Sequence, residues 1–182
     1  MFKLNITAEE AKTFDIRKTP YNIAAQAIEH TWDLLSKFGY QELEQFDILD
    51  PCCGTGTFID AMLDLNGTWS MIEGYEISSN VFKWLERKYS LDYNVNIENT
   101  DFLNLENDEF GYHIIVGEPP VHLINEFIVK ALTCLSNGHS IIAFVVPKSF
   151  DPAGYNVIDS YNNDFDEDDK DTKTIFITKE SN

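Results

Sequence analysis

Two stretches of this chain hold the residue types that can do chemistry. In "ILDPCCGTGTF" (Ile48 to Phe58) a short apolar run meets a Gly-x-Gly turn and then a helical pattern. Gly54 and Gly56 let the backbone turn tightly and come close to a ligand, and the helix that follows offers unpaired N–H groups at its start. No third glycine stands three residues after Gly56, so the dinucleotide fingerprint is incomplete and pyrophosphate binding is disfavoured. Glu76 closes the next apolar run, 20 positions after Gly56, where a carboxylate can accept hydrogen bonds from both ribose hydroxyls of an adenosine. Asp101 and Phe102 follow a third run, and there a carboxylate can take an adenine amino group while the ring flanks the base. In the second stretch, "HIIVGEPPVHLINEFIVKAL" (His113 to Leu132), a hydrophobic run enters two consecutive prolines and leaves as a helical pattern. Such a junction builds a rigid rim beside a small-molecule pocket, and here Glu118 and Val121 flank the prolines.

These residues need a scaffold, and the rest of the chain supplies an α/β pattern with a mainly parallel sheet. Thr19 followed by Pro20 predicts a helix start, with a hydroxyl N-cap and proline at the first helical position. Ile23, Ala24, Ala27, Ile28, Leu34, Leu35 and Phe38 keep helical spacing, and Gly39 stops the helix. Strands are expected at Phe46–Asp50, Ser70–Ile77, "NVNIENTD", "YHIIVG" and "SIIAFVVP". Helices are expected at Thr57–Leu65 (closed by Asn66-Gly67), at Ser79–Tyr89 (capped by Ser78 or Ser79), and over "LINEFIVKALTCL" (closed by Asn137-Gly138). Beyond Pro147 the pattern weakens. Residues 151–173 read as an acidic loop, with Asp164 to Asp171 a solvated run. "TIFIT" (Thr174 to Thr178) then reads as a last, antiparallel strand at or near an edge.

The whole of 1–182 is expected to form one domain. No apolar run reaches the roughly 20 residues that span a bilayer, and the N-terminal stretch lacks the apolar core of a secretory signal. Three cysteines, Cys52 and Cys53 adjacent, make neither a disulfide framework nor a metal-ligand spacing and point to a reducing, cytoplasmic setting. The formal net charge of −18 opposes direct binding of nucleic acid, whose affinity draws on Lys and Arg. A basic partner or patch would have to compensate. His113 and His122 beside the diproline read as structural or solvent-facing, Trp32, Trp69 and Trp84 as packing residues, and Lys148 as a solvated lysine.

Taken in order, "DPCCGTGTF", "GYEIS", "NTDF" and "VGEPPV" resemble the class I S-adenosylmethionine-dependent methyltransferases. More narrowly they resemble the N6-adenine DNA methyltransferases. "RKTPYNIAAQAIE" is similar to that group's N-terminal Thr-Pro element, and "GHSIIAFVVPKSF" to the strand after its catalytic motif. The resemblance covers Thr19 to Phe150 and implies a Rossmann-like methyltransferase fold with a sheet of the seven-stranded type, open to truncation at its C-terminal end. It implies that Asp50 and the turn from Cys52 to Gly56, with Gly54 inside it, contact the methionine part of S-adenosylmethionine. Thr19 and Pro20 would pack over the same end, Glu76 and Ile77 would lie at the ribose, and Asp101 with Phe102 at the adenine. Glu118, Pro119, Pro120 and Val121 would face the transferring methyl group.

The four-residue motif departs from the family pattern of Asn-Pro-Pro-aromatic. The first position accepts hydrogen bonds from the target amine, which is catalysis by positioning. Glu118 can still accept, more strongly for its charge, but it is one methylene longer than Asp or Asn. A misplacement of about 1 Å is a loss on the order of 100-fold in rate. Val121 has no ring, and base–aromatic stacking is worth roughly 1–3 kcal/mol. Glu-Pro-Pro with an aliphatic also resembles the degenerate motif in the non-catalytic subunit of the eukaryotic mRNA adenine methyltransferase pair. No separate target-recognition domain is expected within 1–182. Three functions therefore stay open. One is methyl transfer to an adenine amino group of DNA or RNA, reached through a basic partner subunit. Another is a catalytically inactive methyltransferase-fold subunit that works through a protein partner. The last is methylation of a protein glutamine or a small molecule.

Overall fold

The computed structural model describes residues 4, 6, 7, 9, 12, 19–40, 45–65, 69–106, 111–165 and 171–179. Helix α1 (Tyr21–Lys37) turns one stripe inward, with Ile23, Ala24, Ala27, Ile28, Leu34 and Leu35 buried as their spacing requires. Its end follows the Schellman pattern: Gly39 at φ +96° donates to the Ser36 carbonyl and Tyr40 to that of Leu35. Its start differs from expectation. Pro20 occupies the N-cap position without a side-chain cap bond, because the Thr19 hydroxyl is engaged elsewhere.

Seven strands follow in one sheet: β1 (Phe46–Asp50), β2 (Trp69–Tyr75), β3 (Val95–Glu98), β4 (Ile114–Gly117), β5 (Ile141–Pro147), β6 (Val157–Asn162) and β7 (Thr172–Ile177). Their order is β3-β2-β1-β4-β5-β7-β6. The first five are parallel, whereas β7 runs antiparallel to both β5 and β6. Helices α2 (Thr57–Asp64), α3 (Ser79–Lys88) and α4 (Ile124–Cys134) provide the crossovers. Alternation along the strands divides the core in two. Ile48, Val116, Ala143 and Phe176 face α1, α2 and α3, while Leu49, Ile115, Phe144 and Ile175 face α4.

One expectation for the C-terminal part is corrected and one is met. The stretch 151–173 is not a continuous loop, since it contains β6, whereas "TIFIT" lies in an antiparallel strand near an edge, with only β6 outside it. Strand β6 hides from pattern reading because polar pairing carries much of its attachment. Just past its end, buried Asn163 donates to Thr172 Oγ1 at 3.1 Å and accepts from Thr174 Oγ1 at 3.0 Å. His30 Nε2 on α1 meets Asp159 Oδ2 at 2.8 Å, with the imidazole between Tyr161 and Phe176. The sheet is therefore not truncated. Asn66-Gly67, most of the acidic run from 164 to 171 and most of the segment before Thr19 lie outside the described residues.

The tryptophans pack as expected. Trp32 lies edge-on to Phe46 and Trp69, and the Trp69 indole N–H donates to the Met62 carbonyl at 2.7 Å. Among the described residues no helix is long and apolar enough to cross a membrane.

Candidate active site

The C-terminal ends of β1 to β4 lie along one rim of the sheet, where open α/β sheets form their crevices. A cleft opens there, walled by residues between Thr19 and Phe127. Its floor is the turn after β1. Gly56 starts α2 at φ +75°, and a Cβ on it would stand 2.2 Å from the Tyr89 hydroxyl oxygen. Both the left-handed backbone and the close approach therefore demand glycine. From behind, the Tyr89 hydroxyl lies 2.8 Å from the Gly56 carbonyl and 2.9 Å from Asp60 Oδ1. Lys88 Nζ reaches the Thr55 carbonyl at 3.2 Å and Asp60 Oδ2 at 2.6 Å. Helix α3 thus fixes the turn by side chains from its last residues.

Two buried carboxyl groups stand at this turn. Asp50 accepts from the Cys52 N–H at 3.2 Å through Oδ1, while Oδ2 has no partner among the described residues. Burial pushes its carboxyl up to about 8, against the opposing Cys52 N–H and with help from Glu76. Glu76 opens onto the cleft from the end of β2 and accepts from the Ser78 N–H at 2.7 Å. Burial raises it to about 7, and the Ser78 and Gly54 N–H groups pull the other way. The Cys52 and Cys53 thiols are raised well above their usual range, mainly by burial, which keeps them neutral. Cys53 donates its thiol to the Tyr75 carbonyl at 3.3 Å.

Along one wall Asp101 caps the short 3-10 helix Phe102–Asn104, accepting from the Leu103 N–H at 3.0 Å and the Asn104 amide at 2.9 Å. The Phe102 ring stacks on Tyr75 at 5.9 Å and tilts against Phe127 at 5.6 Å. Ile77 is exposed at the rim, and Asn99 holds the backbone there by donating to the Glu76 carbonyl at 2.7 Å. On the opposite wall Glu118 follows β4, and the Thr19 hydroxyl donates to its Oε2 at 2.6 Å. Residues 99 apart in sequence thus meet at the cleft.

Of the residues singled out by sequence, Thr19, Cys52, Gly54, Glu76, Ile77, Asp101, Phe102, Glu118 and Pro120 line the cleft. Pro20, Asp50, Gly56, Pro119 and Val121 do not. Asp50 and Gly56 act from beneath the turn, Pro119 is buried, and Val121 lies outside the lining, 41% exposed. Sequence reading missed Pro51, Thr57, Phe58, Tyr75, Thr100, Leu123 and Phe127, and it set His122 aside. Leu123 and Phe127 could have been found from their i, i+4 spacing after the diproline. Among the histidines, His113 is structural, as its Nδ1 accepts from the Asp47 N–H at 3.2 Å. Lys148 is paired with Asp164 at 2.8 Å.

Solved structures share this fold. A candidate class I S-adenosylmethionine-dependent methyltransferase of Listeria monocytogenes superposes with a TM-score of 0.65 at 13% identity, over 92% of this chain and 64% of that one. The fold is that of the class I methyltransferases. The 23S rRNA methyltransferase ErmE superposes at 0.62 with 15% identity, covering 90% of this chain and 68% of its own. The plantazolicin methyltransferase BpumL, solved with SAH, superposes at 0.59 with 22% identity, over 77% of this chain and 54% of its own. By sequence, this methyltransferase-fold chain is 27% identical over 166 residues to the modification methylase CviBIII of Paramecium bursaria Chlorella virus NC1A. That match takes in 81% of the chain but 41% of the methylase, so the chain spans about two fifths of the length of its curated relative. No protein-family model matches the chain.

Proposed function

We propose that this chain binds S-adenosylmethionine in the cleft and transfers its methyl group to the exocyclic amino nitrogen of an adenine. The observation that carries this reading is the placement of Glu76 and Glu118 in the same cleft, at two ends of a surface that the glycine turn lets a ligand approach closely. The residues fit the cofactor. Glu76 offers an ionisable acceptor for ribose hydroxyls, and Asp101 and Ile77 line the part of the same cleft where the adenine would lie. Asp50, beneath the turn, has a buried oxygen without a partner among the described residues and is held largely protonated by burial, and an ammonium group near the turn would favour its ionised form. The bound cofactor would supply an electrophilic methyl group on a sulfonium.

Glu118 supports transfer to nitrogen. Its carboxylate accepts an amine N–H and orients the nitrogen lone pair, and the Thr19 hydroxyl restricts where this longer side chain can lie. The Glu118 carboxylate would stabilise the positive charge that builds on the acceptor nitrogen during transfer, and the nitrogen's surplus proton would then pass to solvent. The curated relative is named a modification methylase, which supports a base in DNA as acceptor.

A second reading has the chain as an inactive partner of another subunit. It is favoured by Val121, which has no ring and stands outside the cleft lining, and by the net charge of −18, which repels phosphates. The test is calorimetric titration of the purified chain with S-adenosylmethionine, with Glu76→Ala as control. Tritium transfer to adenine-containing DNA and RNA follows, with Glu118→Ala as control. Binding lost in the first control and transfer lost in the second support the proposal. Binding without transfer to any nucleic acid, alone or with a basic partner, sinks the catalytic reading and leaves the subunit reading.

A further inference from the structure

The amine acceptor proposed above needs a planar surface to hold the base, and Val121 cannot provide it. Five described cleft residues carry aromatic rings: Phe58, Tyr75, Phe102, Phe127 and His122. The first four are buried, at 3%, 4%, 2% and 5% exposure. Phe102 is covered by Tyr75 and Phe127, so these rings belong to the core and have little open face to offer a second planar group. His122 differs, since it lines the cleft and is also solvent-exposed.

The local backbone explains why this residue, and not its neighbour, faces inward. Pro120, at φ −52°, leads directly into the 3-10 turn Val121–Leu123, which is closed by the Leu123 N–H to the Pro120 carbonyl at 2.8 Å. A 3-10 turn advances about 120° per residue. Consecutive side chains therefore point in well-separated directions, and with Leu123 and His122 on the cleft side Val121 is left outside. The two prolines hold this phase by fixing their own φ angles.

We infer that the imidazole of His122 supplies the flat face against which the acceptor base lies, one position later than the aromatic of the family motif, while Glu118 takes the amine N–H. Both groups stand on one wall, four residues apart across a rigid diproline. That geometry selects a planar acceptor bearing an amino group. The assignment rests on the adenine reading and narrows it to a contact residue.

The experiment uses the whole chain saturated with S-adenosylhomocysteine, which fills the cofactor site, and titrates it with adenosine. Carbon-edited NMR follows the histidine ring signals, with His122→Ala giving the assignment and calorimetry giving the affinity. The expected result is an upfield ring-current shift of the His122 signals and an affinity about tenfold weaker in His122→Ala. Recovery in His122→Phe and an unchanged affinity in Val121→Ala complete it. Equal binding of S-adenosylhomocysteine by all variants checks that each is folded. Adenosine binding of equal strength in His122→Ala overturns the inference and leaves the adenine reading standing. Failure of the wild-type chain to bind adenosine while it binds S-adenosylhomocysteine overturns the adenine reading, and the inference falls with it. Failure to bind S-adenosylhomocysteine removes both.

Discussion

Glu76 carries a measurable penalty in the ligand-free protein. Burial raises its carboxyl from an ordinary 4.5 to about 7, so the folded chain holds this proton more tightly than the unfolded chain does. Unfolding therefore releases a proton between these two values, and stability falls as the pH rises through that window and levels off above it. The shift corresponds to about 3 kcal/mol for a group that is 5% exposed. In Glu76→Gln the amide oxygen can still accept from the Ser78 and Gly54 N–H groups, but the titration is gone. The variant also relieves Asp50, whose carboxyl Glu76 helps to raise, so both effects act in one direction. Urea unfolding of both proteins at pH 5, 6, 7 and 8 should show the variant gaining on the wild type by about 2–3 kcal/mol across the series. Stability curves that stay parallel from pH 5 to pH 8 would refute the burial argument. The same group governs ligand linkage. A ligand that donates hydroxyls to the carboxylate favours its ionised form, so binding near pH 6 should expel a proton, visible as a calorimetric enthalpy that changes with buffer.

Three further outcomes follow from contacts described above. Gly56→Ala combines a left-handed backbone with a Cβ driven into the Tyr89 hydroxyl, and thermal unfolding should register a loss of about 2–4 kcal/mol. Tyr89→Phe keeps the ring but frees the Gly56 carbonyl and Asp60 from the hydroxyl. It should lower stability by about 1–2 kcal/mol and weaken S-adenosylmethionine binding, and unchanged calorimetry would show that the turn needs no such brace. Thr19→Val is nearly isosteric and removes the hydrogen bond to Glu118, for an expected loss of about 1 kcal/mol in chemical denaturation, while Thr19→Ser should retain most of it.

Much of the scaffold was legible because burial on two sides forces patterns that stand out. "FDILD", "HIIVG" and "SIIAFVVP" are apolar runs of strand length, and α1 shows its stripe in the spacing of Ile23, Ala27, Leu34 and their neighbours. Gly39 could be read as a helix stop because a left-handed residue was needed there. Strand β6 could not be read, since Asp159, Ser160 and Asn162 look like loop residues and its attachment depends on His30 and Asn163, one of them 129 positions from its partner. The floor of the cleft was legible for a similar reason, as its glycines answer a local backbone demand. Its walls were harder. The Thr19 hydroxyl looked like a cap until the folded chain brought Glu118 within reach, and the inward face of the residues after Pro120 depends on the phase of one short turn, which composition does not encode.

All the described wall residues of the cleft precede α4's midpoint, and β6 and β7 contribute none of them. The hairpin serves the molecule differently. Strand β5 is buried from Ile141 to Val146, and β7 pairs with it from Ile142 to Pro147. A growing chain that had emerged only as far as Phe150 would carry every wall residue yet present β5 as a bare, greasy sheet edge, the kind that recruits other chains. Synthesis at about 5–20 residues per second leaves that edge uncovered for seconds. The β6–β7 hairpin is thus the seal over that edge, turning the buried side of β7 to the core and leaving the more polar β6 at the rim.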